Sequence, residues 1–299
     1  FVEIGGGSGA FAEIMLKRLL ALDALPARYA ILEPSADLRQ RQRERLEARL
    51  IPPVFDLVEW LDGPPSDAWN GVLFANEVID ALPTPRFTLR DGEVFEEGVA
   101  LDGEGRFVRT DRPADALLAA AVRHVERYLE QPFPDGYRSE LLPQLPYWIQ
   151  AVMGGLDRGA MLFADYGYTR REFYQPDRDD GTLRAYFRHR VHNDPYLWPG
   201  LQDITASVDF TALAEAGTQA GFDMAGYTTQ ANFLLGNGLQ ERLAEAEARA
   251  DETTLLRLRN EAKRLTLPSE MGERFQVMGF SRDVEFGVAF LFNDLSWRL

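Results

Sequence analysis

The sequence contains no cysteine. Disulfides, thiolate metal sites and cysteine nucleophiles are therefore excluded. No apolar run reaches the ~18 residues that a membrane span needs. Net positive charge is lacking too: 32 Lys and Arg face 47 Asp and Glu, a formal net charge of −15 at pH 7, and the isoelectric point lies near 4.7. Such acidity argues against a nucleic-acid backbone or an anionic membrane as the main partner. It is compatible with a basic protein segment as substrate. There is no internal repeat and no low-complexity tract. There is also no initiator methionine: Phe1 stands inside what reads as the first strand, so an upstream segment is expected. What remains is 299 residues, 45% of them hydrophobic, enough for one large α/β domain with insertions or for two domains.

What is present is concentrated near the start. Residues 3–9 read Glu3-Ile4-Gly5-Gly6-Gly7-Ser8-Gly9, preceded by Phe1-Val2 and followed by a helical pattern from Ala10 to about Leu22, with Phe11, Ile14, Met15 and Leu19 on one stripe. This is a strand, a tight glycine turn and a helix N-terminus, the construction of a nucleotide cradle. The dinucleotide fingerprint is G-x-G-x-x-G. Here Gly5, Gly7 and Gly9 give G-x-G-x-G, with Glu3 two residues ahead. An acid at that point suits a cationic amino-acid moiety such as that of S-adenosylmethionine and repels a pyrophosphate.

The first third of the chain alternates strand and helix. Strands are expected at 29–32, within 54–61 and at 71–75, with a helix from Ser35 or Asp37 to about Leu50. That rhythm implies a parallel, doubly wound sheet. Then come a hairpin turning at Asp91-Gly92 and continued by Phe107-Val108, helices at 114–130 and 145–156, and a strand at 160–164. Residues 168–207 are polar and aromatic without clear periodicity. A helix at 210–220, a strand at 222–227, a long helix at 240–265 and a final strand at 287–292 complete the reading.

In an open α/β sheet the ligand lies beyond the carboxyl ends of the strands. After strand two comes Glu33, placed to accept from ribose hydroxyls. After strand three comes Trp60-Leu61-Asp62, an apolar pair and a carboxylate suited to an adenine. After strand four comes Asn76-Glu77-Val78-Ile79-Asp80-Ala81-Leu82-Pro83, whose acids can grip a cationic acceptor such as a guanidinium. Asp165-Tyr166-Gly167 follows strand five as a second polar group. His189, His192 and Asp203 hint at a metal, but a third ligand is not evident and none is expected.

With these residues in hand the chain resembles the MidA-like family of S-adenosylmethionine-dependent methyltransferases, which includes the mitochondrial protein-arginine methyltransferase of respiratory complex I assembly. The matching stretches are Glu3–Gly9, Ala30–Ser35, Asn76–Pro83, Asp165–Gly167, Gly181–His189, Asp203–Phe210 and Met271–Gly279. The resemblance implies a class I, Rossmann-like methyltransferase fold with helical and hairpin insertions. It implies S-adenosylmethionine as cofactor and a protein arginine, first of all in a respiratory NADH dehydrogenase subunit, as acceptor. The glycine turn departs from the family pattern, which has a proline and often an arginine within it. Candidate cofactor residues are Glu3, Gly5, Gly6, Gly7, Gly9, Glu33, Ser35, Trp60, Leu61, Asp62 and Asn76. Candidate catalytic residues are Asn76, Glu77, Asp80, Asp165 and Tyr166. The expected core comprises residues 1–84, 157–230 and 284–299. Insertions are expected at 85–156, at 168–207 on the substrate side, and at 231–283. The compartment would be the cytoplasm in a bacterium or the mitochondrial matrix in a eukaryote. Two alternatives stay open: a non-catalytic assembly factor that binds S-adenosylmethionine or a partner, and an NAD-dependent oxidoreductase using Gly5-x-Gly7-x-x-Ala10. A hydrolase is disfavoured, because Gly6-x-Ser8-x-Ala10 lacks the second glycine of a nucleophile elbow.

Overall fold

The computed structural model describes residues 1–188 and 190–299. The chain forms two compact units. The first comprises Phe1–Val78, Tyr147–Ala164 and Ala216–Trp297; the second comprises Ile79–Pro146, Asp165–Glu215 and Arg298–Leu299.

The first unit is built on seven strands: β1 (Val2–Ile4), β2 (Tyr29–Leu32), β3 (Val58–Leu61), β4 (Trp69–Asn76), β5 (Leu156–Tyr168, whose last residues belong to the second unit), β6 (Asp223–Thr229) and β7 (Phe275–Arg282). Their order is β6-β7-β5-β4-β1-β2-β3. β1 pairs parallel with β2 and β4, β2 with β3, and β4 with β5, whereas β6 and β7 pair antiparallel. The order reverses direction at β1, so the crevice beside its carboxyl end is the natural ligand position of a doubly wound sheet. This is the expected α/β class.

The helix after the glycine turn spans Ala10–Ala21, but it buries Ala12 and Leu16 and leaves Ile14 67% exposed. The expected stripe is therefore rotated. Apolar residues ring this helix, and the small Ala12 lets that side lie closest to the sheet. Ala12 and Leu16 pack with Tyr29, Ile31, Leu46, Leu50 and Val54. The next helix, Ala36–Arg49, starts where Ser35 accepts a hydrogen bond from the Leu38 amide, as its sequence predicts.

Two expectations for the rest of this unit need correction. Residues 287–292 form turns; the last strand is 275–282, buried almost throughout. The Phe290 ring fills the space where Gly226 and Gly279 have no Cβ, so the apolar run packs onto the sheet instead of extending it. The single helix expected at 240–265 is two, Leu239–Glu247 and Glu252–Thr266, divided where the Asp251 carboxylate caps the Thr254 amide. The third strand lies within the expected stretch, as β3, and a short helix, Pro52–Phe55, precedes it.

The second unit holds an antiparallel sheet in the order Phe107–Pro113, Glu93–Leu101, Arg86–Arg90, Arg138–Glu140. Its hairpin turns at Asp91 (φ 50°) and Gly92 (φ 78°), the twist-matched turn that such a pair favours. The helix Ala116–Glu126 covers the sheet, with Leu118, Val122 and Val125 against Phe87, Leu89 and Val94. Where the sequence shows no periodicity, three short strands, Arg190–His192, Arg184–Phe187 and Asp203–Thr205, make a second antiparallel sheet. Strands of three or four residues are too short to show a period.

Candidate functional site

The cradle belongs to the first unit. Gly5, Gly7 and Gly9 have φ of 71°, 48° and 75°, so the turn between β1 and the helix needs glycine at all three. Gly9 is the N-cap of that helix and carries no capping side chain, which leaves the first-turn amides available. A side chain at Gly7 would meet nothing within 4 Å, so the surface above the turn is open. Gly6 is constrained differently. A Cβ there would come within 2.9 Å of an Ile31 methyl and 3.1 Å of Gln42 Nε2.

Glu3 is 3% exposed on β1, and the Tyr29 hydroxyl donates to its Oε2 at 2.7 Å. Burial pushes the Glu3 carboxyl up to about 7; the tyrosine hydrogen bond opposes the shift, and the nearby Glu33 charge adds to it. A cation placed beside Glu3 would favour its ionised form.

Glu33 is buried at the end of β2. Its Oε1 accepts from the Ser35 amide (3.0 Å) and its Oε2 from Gln42 Nε2 (3.3 Å). Gln42 also donates to the Gly7 carbonyl (2.9 Å) and accepts from Trp60 Nε1 (2.8 Å). The turn, Glu33, Ser35 and Trp60 are thus joined in one network. Arg43 lies over the Trp60 ring, 4.3 Å from its centroid. Asp62 stands apart: its side chain is 97% exposed and pairs with Arg39, which also donates to the Leu61 and Glu33 carbonyls. Gln42 did not emerge from the motif reading, although a signal was there. It occupies the core-facing stripe Leu38, Gln42, Leu46, Leu50, where a polar residue needs an explanation.

Asn76 and Glu77 lie exposed at the carboxyl end of β4. Glu77 adopts φ 51°, held there as its amide donates to the Ala164 carbonyl (2.9 Å). Asn76 Nδ2 donates to Glu77 Oε1 at 3.3 Å. A non-glycine residue in the left-handed region costs about 1–3 kcal/mol, and such strain gathers at functional sites.

The second unit brings Asp80, Asp165 and Tyr166 together. Both aspartates are buried. Asp165 Oδ2 accepts from the amides of Ile79 (3.0 Å) and Asp80 (3.2 Å), and Oδ1 from the Tyr166 amide (2.9 Å). The Tyr166 hydroxyl donates to Asp80 Oδ2 at 2.7 Å. Burial first, and the Asp80 charge second, raise Asp165 well above the usual carboxylate range against those three donors. Burial and the neighbouring aspartates raise Tyr166 as well.

Other family-like stretches have structural explanations in this unit. Gly181 abuts the Glu140 carboxylate, which also accepts from the Thr182 amide and hydroxyl and from Arg86. Gly167 abuts the Val208 carbonyl, and Asp209 caps the Ala212 amide while pairing with Arg170. His192 and Asp203 sit on strands either side of Arg184–Phe187, and His189 lies outside the described residues.

Comparison with known proteins agrees with this construction. The profile of a family described as "Putative S-adenosyl-L-methionine-dependent methyltransferase" matches residues 1–228. The chain belongs to that family, whose cofactor is S-adenosylmethionine. It is 40% identical to a Burkholderia thailandensis protein solved with S-adenosyl-homocysteine, with a TM-score of 0.89 over 100% of this chain and 75% of that one. It is 30% identical over 212 residues to the mitochondrial protein arginine methyltransferase NDUFAF7 of Danio rerio, covering 69% of this chain and 46% of that protein. The NDUFAF7 homolog of Drosophila melanogaster is 27% identical over 304 residues, 93% of this chain and 66% of that protein. The chain therefore spans between about half and two thirds of the length of these two relatives.

Proposed function

We propose that this chain catalyses methyl transfer from S-adenosylmethionine to an arginine of a protein substrate. The observation that carries the reading is the cradle: three left-handed glycines, with open space above Gly7, beside a buried Glu33 whose two oxygens are already oriented by amide donors. Glu33 holds the ribose hydroxyls. Trp60, Leu61 and Asp62 flank the adenine, with Asp62 accepting from its exocyclic amine once it leaves Arg39. Gly5, Gly6, Gly7, Gly9, Ser35 and Asn76 line the path of the cofactor. Glu3 faces its cationic amino-acid end.

The cofactor supplies an already activated methyl group, so this chain's task is chiefly positioning. Glu77 pairs with the acceptor guanidinium and aims one nitrogen. That guanidinium is cationic, with a pKa above ~12, so carboxylates must offset its repulsion from the sulfonium. As the C–N bond forms and the C–S bond breaks, sulfur keeps the electron pair and the nitrogen gives up a proton. The acid pair Asp80 and Asp165 takes it, Asp165 being raised by its burial and by the Asp80 charge. Similarity to mitochondrial protein arginine methyltransferases supports an arginine acceptor, and a respiratory NADH dehydrogenase subunit is the first substrate to try.

The test is transfer of labelled methyl groups to lysate proteins, followed by amino-acid analysis. Wild type should label arginine. Glu77→Gln should lose labelling by roughly a hundredfold while binding S-adenosylmethionine normally, the effect expected for losing a charge-assisted clamp. Cofactor binding without labelling of any protein would favour the assembly-factor reading, and normal labelling by Glu77→Gln would remove Glu77 from the acceptor clamp.

A further inference from the structure

Gln42 is fully buried in the middle of a helix otherwise crowded with arginine and glutamate. Its amide is satisfied by three partners of fixed polarity. Trp60 Nε1 can only donate, so Oε1 faces it at 2.8 Å. The two Nε2 protons then go to the Gly7 carbonyl at 2.9 Å and to Glu33 Oε2 at 3.3 Å, both of which can only accept. A flipped amide would set donor against donor and acceptor against acceptor. The side chain therefore has one workable orientation, and it ties the turn after β1, the acid after β2 and the indole of β3 to a single helix.

Gly6 acquires a reason from the same contact. It is not among the glycines with positive φ, yet a Cβ would press on Gln42 and Ile31. The second glycine of the Gly5-Gly6-Gly7 run makes room for the amide. The Glu33 carboxylate is pinned from both sides, by the Ser35 amide on one oxygen and by Gln42 on the other.

We infer that Gln42 is the positioning residue of the cofactor cradle: it orients Glu33 and the Gly7 peptide together, so that the ribose and glycine-turn parts of the pocket are formed before the cofactor arrives. The inference rests on the reading of Glu33 as the ribose ligand. Gln42 acts through Glu33 and has no contact with the reacting atoms.

The experiment is a double-mutant cycle on S-adenosylmethionine affinity, read by calorimetry, with thermal melts as the check on folding. Gln42→Met keeps the length and loses the hydrogen bonds. It should weaken binding about tenfold or more in the wild-type background, but less than about threefold in a Glu33→Gln background, the signature of coupled sites. Methyl transfer at saturating cofactor should stay within about twofold of wild type, because only cofactor binding is impaired. Gln42→Glu sharpens the test: two carboxylates side by side cannot both ionise, so its affinity relative to wild type should recover below about pH 6, where the new acid is protonated and can again donate to Glu33. The inference is overturned if Gln42→Met binds the cofactor as wild type does, or if its full effect persists in the Glu33→Gln background, which would make Gln42 a packing residue. If Glu33→Ala leaves affinity unchanged, the reading of Glu33 fails first.

Discussion

The cradle of the first unit and the acid cluster of the second are both buried and polar, yet they are held in opposite ways. Around Glu33 and Gln42 the donors and acceptors match, and each group has a partner that fixes its orientation. Around Asp80 and Asp165 two carboxylates share one buried site, and three backbone amides do not fully offset the cost, since Asp165 remains raised. A matched network suits binding, because little reorganises when a ligand arrives. A buried carboxylate raised by a second one beside it suits proton transfer, because it takes up a proton more readily than a free one.

That contrast is sharpest under mutation. On the reading of Glu33 as the ribose ligand, Glu33→Ala removes an acceptor of two hydrogen bonds and should weaken S-adenosylmethionine binding by about 10²–10⁴, each bond to a charged group contributing about 1.5–3 kcal/mol. Asp80→Asn should leave that affinity within about twofold, yet lower methyl transfer by about 10²–10³, the range of an acid–base group. Parallel calorimetry and single-turnover assays would check this. If Asp80→Asn abolished cofactor binding, the division between the two regions would be lost.

Glu3 brings a mismatch into the cradle itself. Its folded-state pKa of about 7 exceeds the ordinary 4.5, so between those values the folded protein binds a proton that the unfolded chain does not. Stability from this group is full below the ordinary pKa and is lost as pH rises through the folded one. The loss is about 3 kcal/mol in all. Denaturant titrations across this window should show the decline in wild type and a flatter profile in Glu3→Gln. An unchanged slope in the variant would assign the pH dependence to other groups, Asp165 first.

The smallest effect on stability is expected at Glu77. Replacing a residue at φ 51° by glycine relieves left-handed strain, less the entropy that glycine loses on folding. Glu77→Gly should stabilise the fold by about 0.5–1 kcal/mol and raise the melting temperature by about 2 °C. It should nevertheless lose methyl transfer. A less stable Glu77→Gly would mean that the side chain supports structure and that the strain has no functional counterpart.

The sequence reported some of this better than the rest. The glycine turn, Glu33 and the strand–helix alternation were legible because backbone conformation restricts residue choice strongly there. The acids of 76–83 and 165–167 stood out because carboxylates at strand ends have little structural reason to cluster. Gln42 escaped because it carries no motif and works through three partners distant in sequence. Trp60 stood out as an aromatic at a strand end, but its engagement with Gln42 and Arg43 was not legible. The small sheet of residues 184–205 was invisible, since its strands are too short to show periodicity. The misplaced final strand shows the same limit from the other side: Gly226 and Gly279 weaken the look of β6 and β7 while making room for Phe290, whose apolar run reads as the strand.

The most direct test of the central claim is a calorimetric titration of the protein with S-adenosylmethionine, using NAD as control ligand and Glu33→Ala as control protein. The cradle described above predicts heat with S-adenosylmethionine, none with NAD, and loss of the signal in Glu33→Ala. Heat with NAD alone, or unchanged S-adenosylmethionine binding in Glu33→Ala, would contradict it.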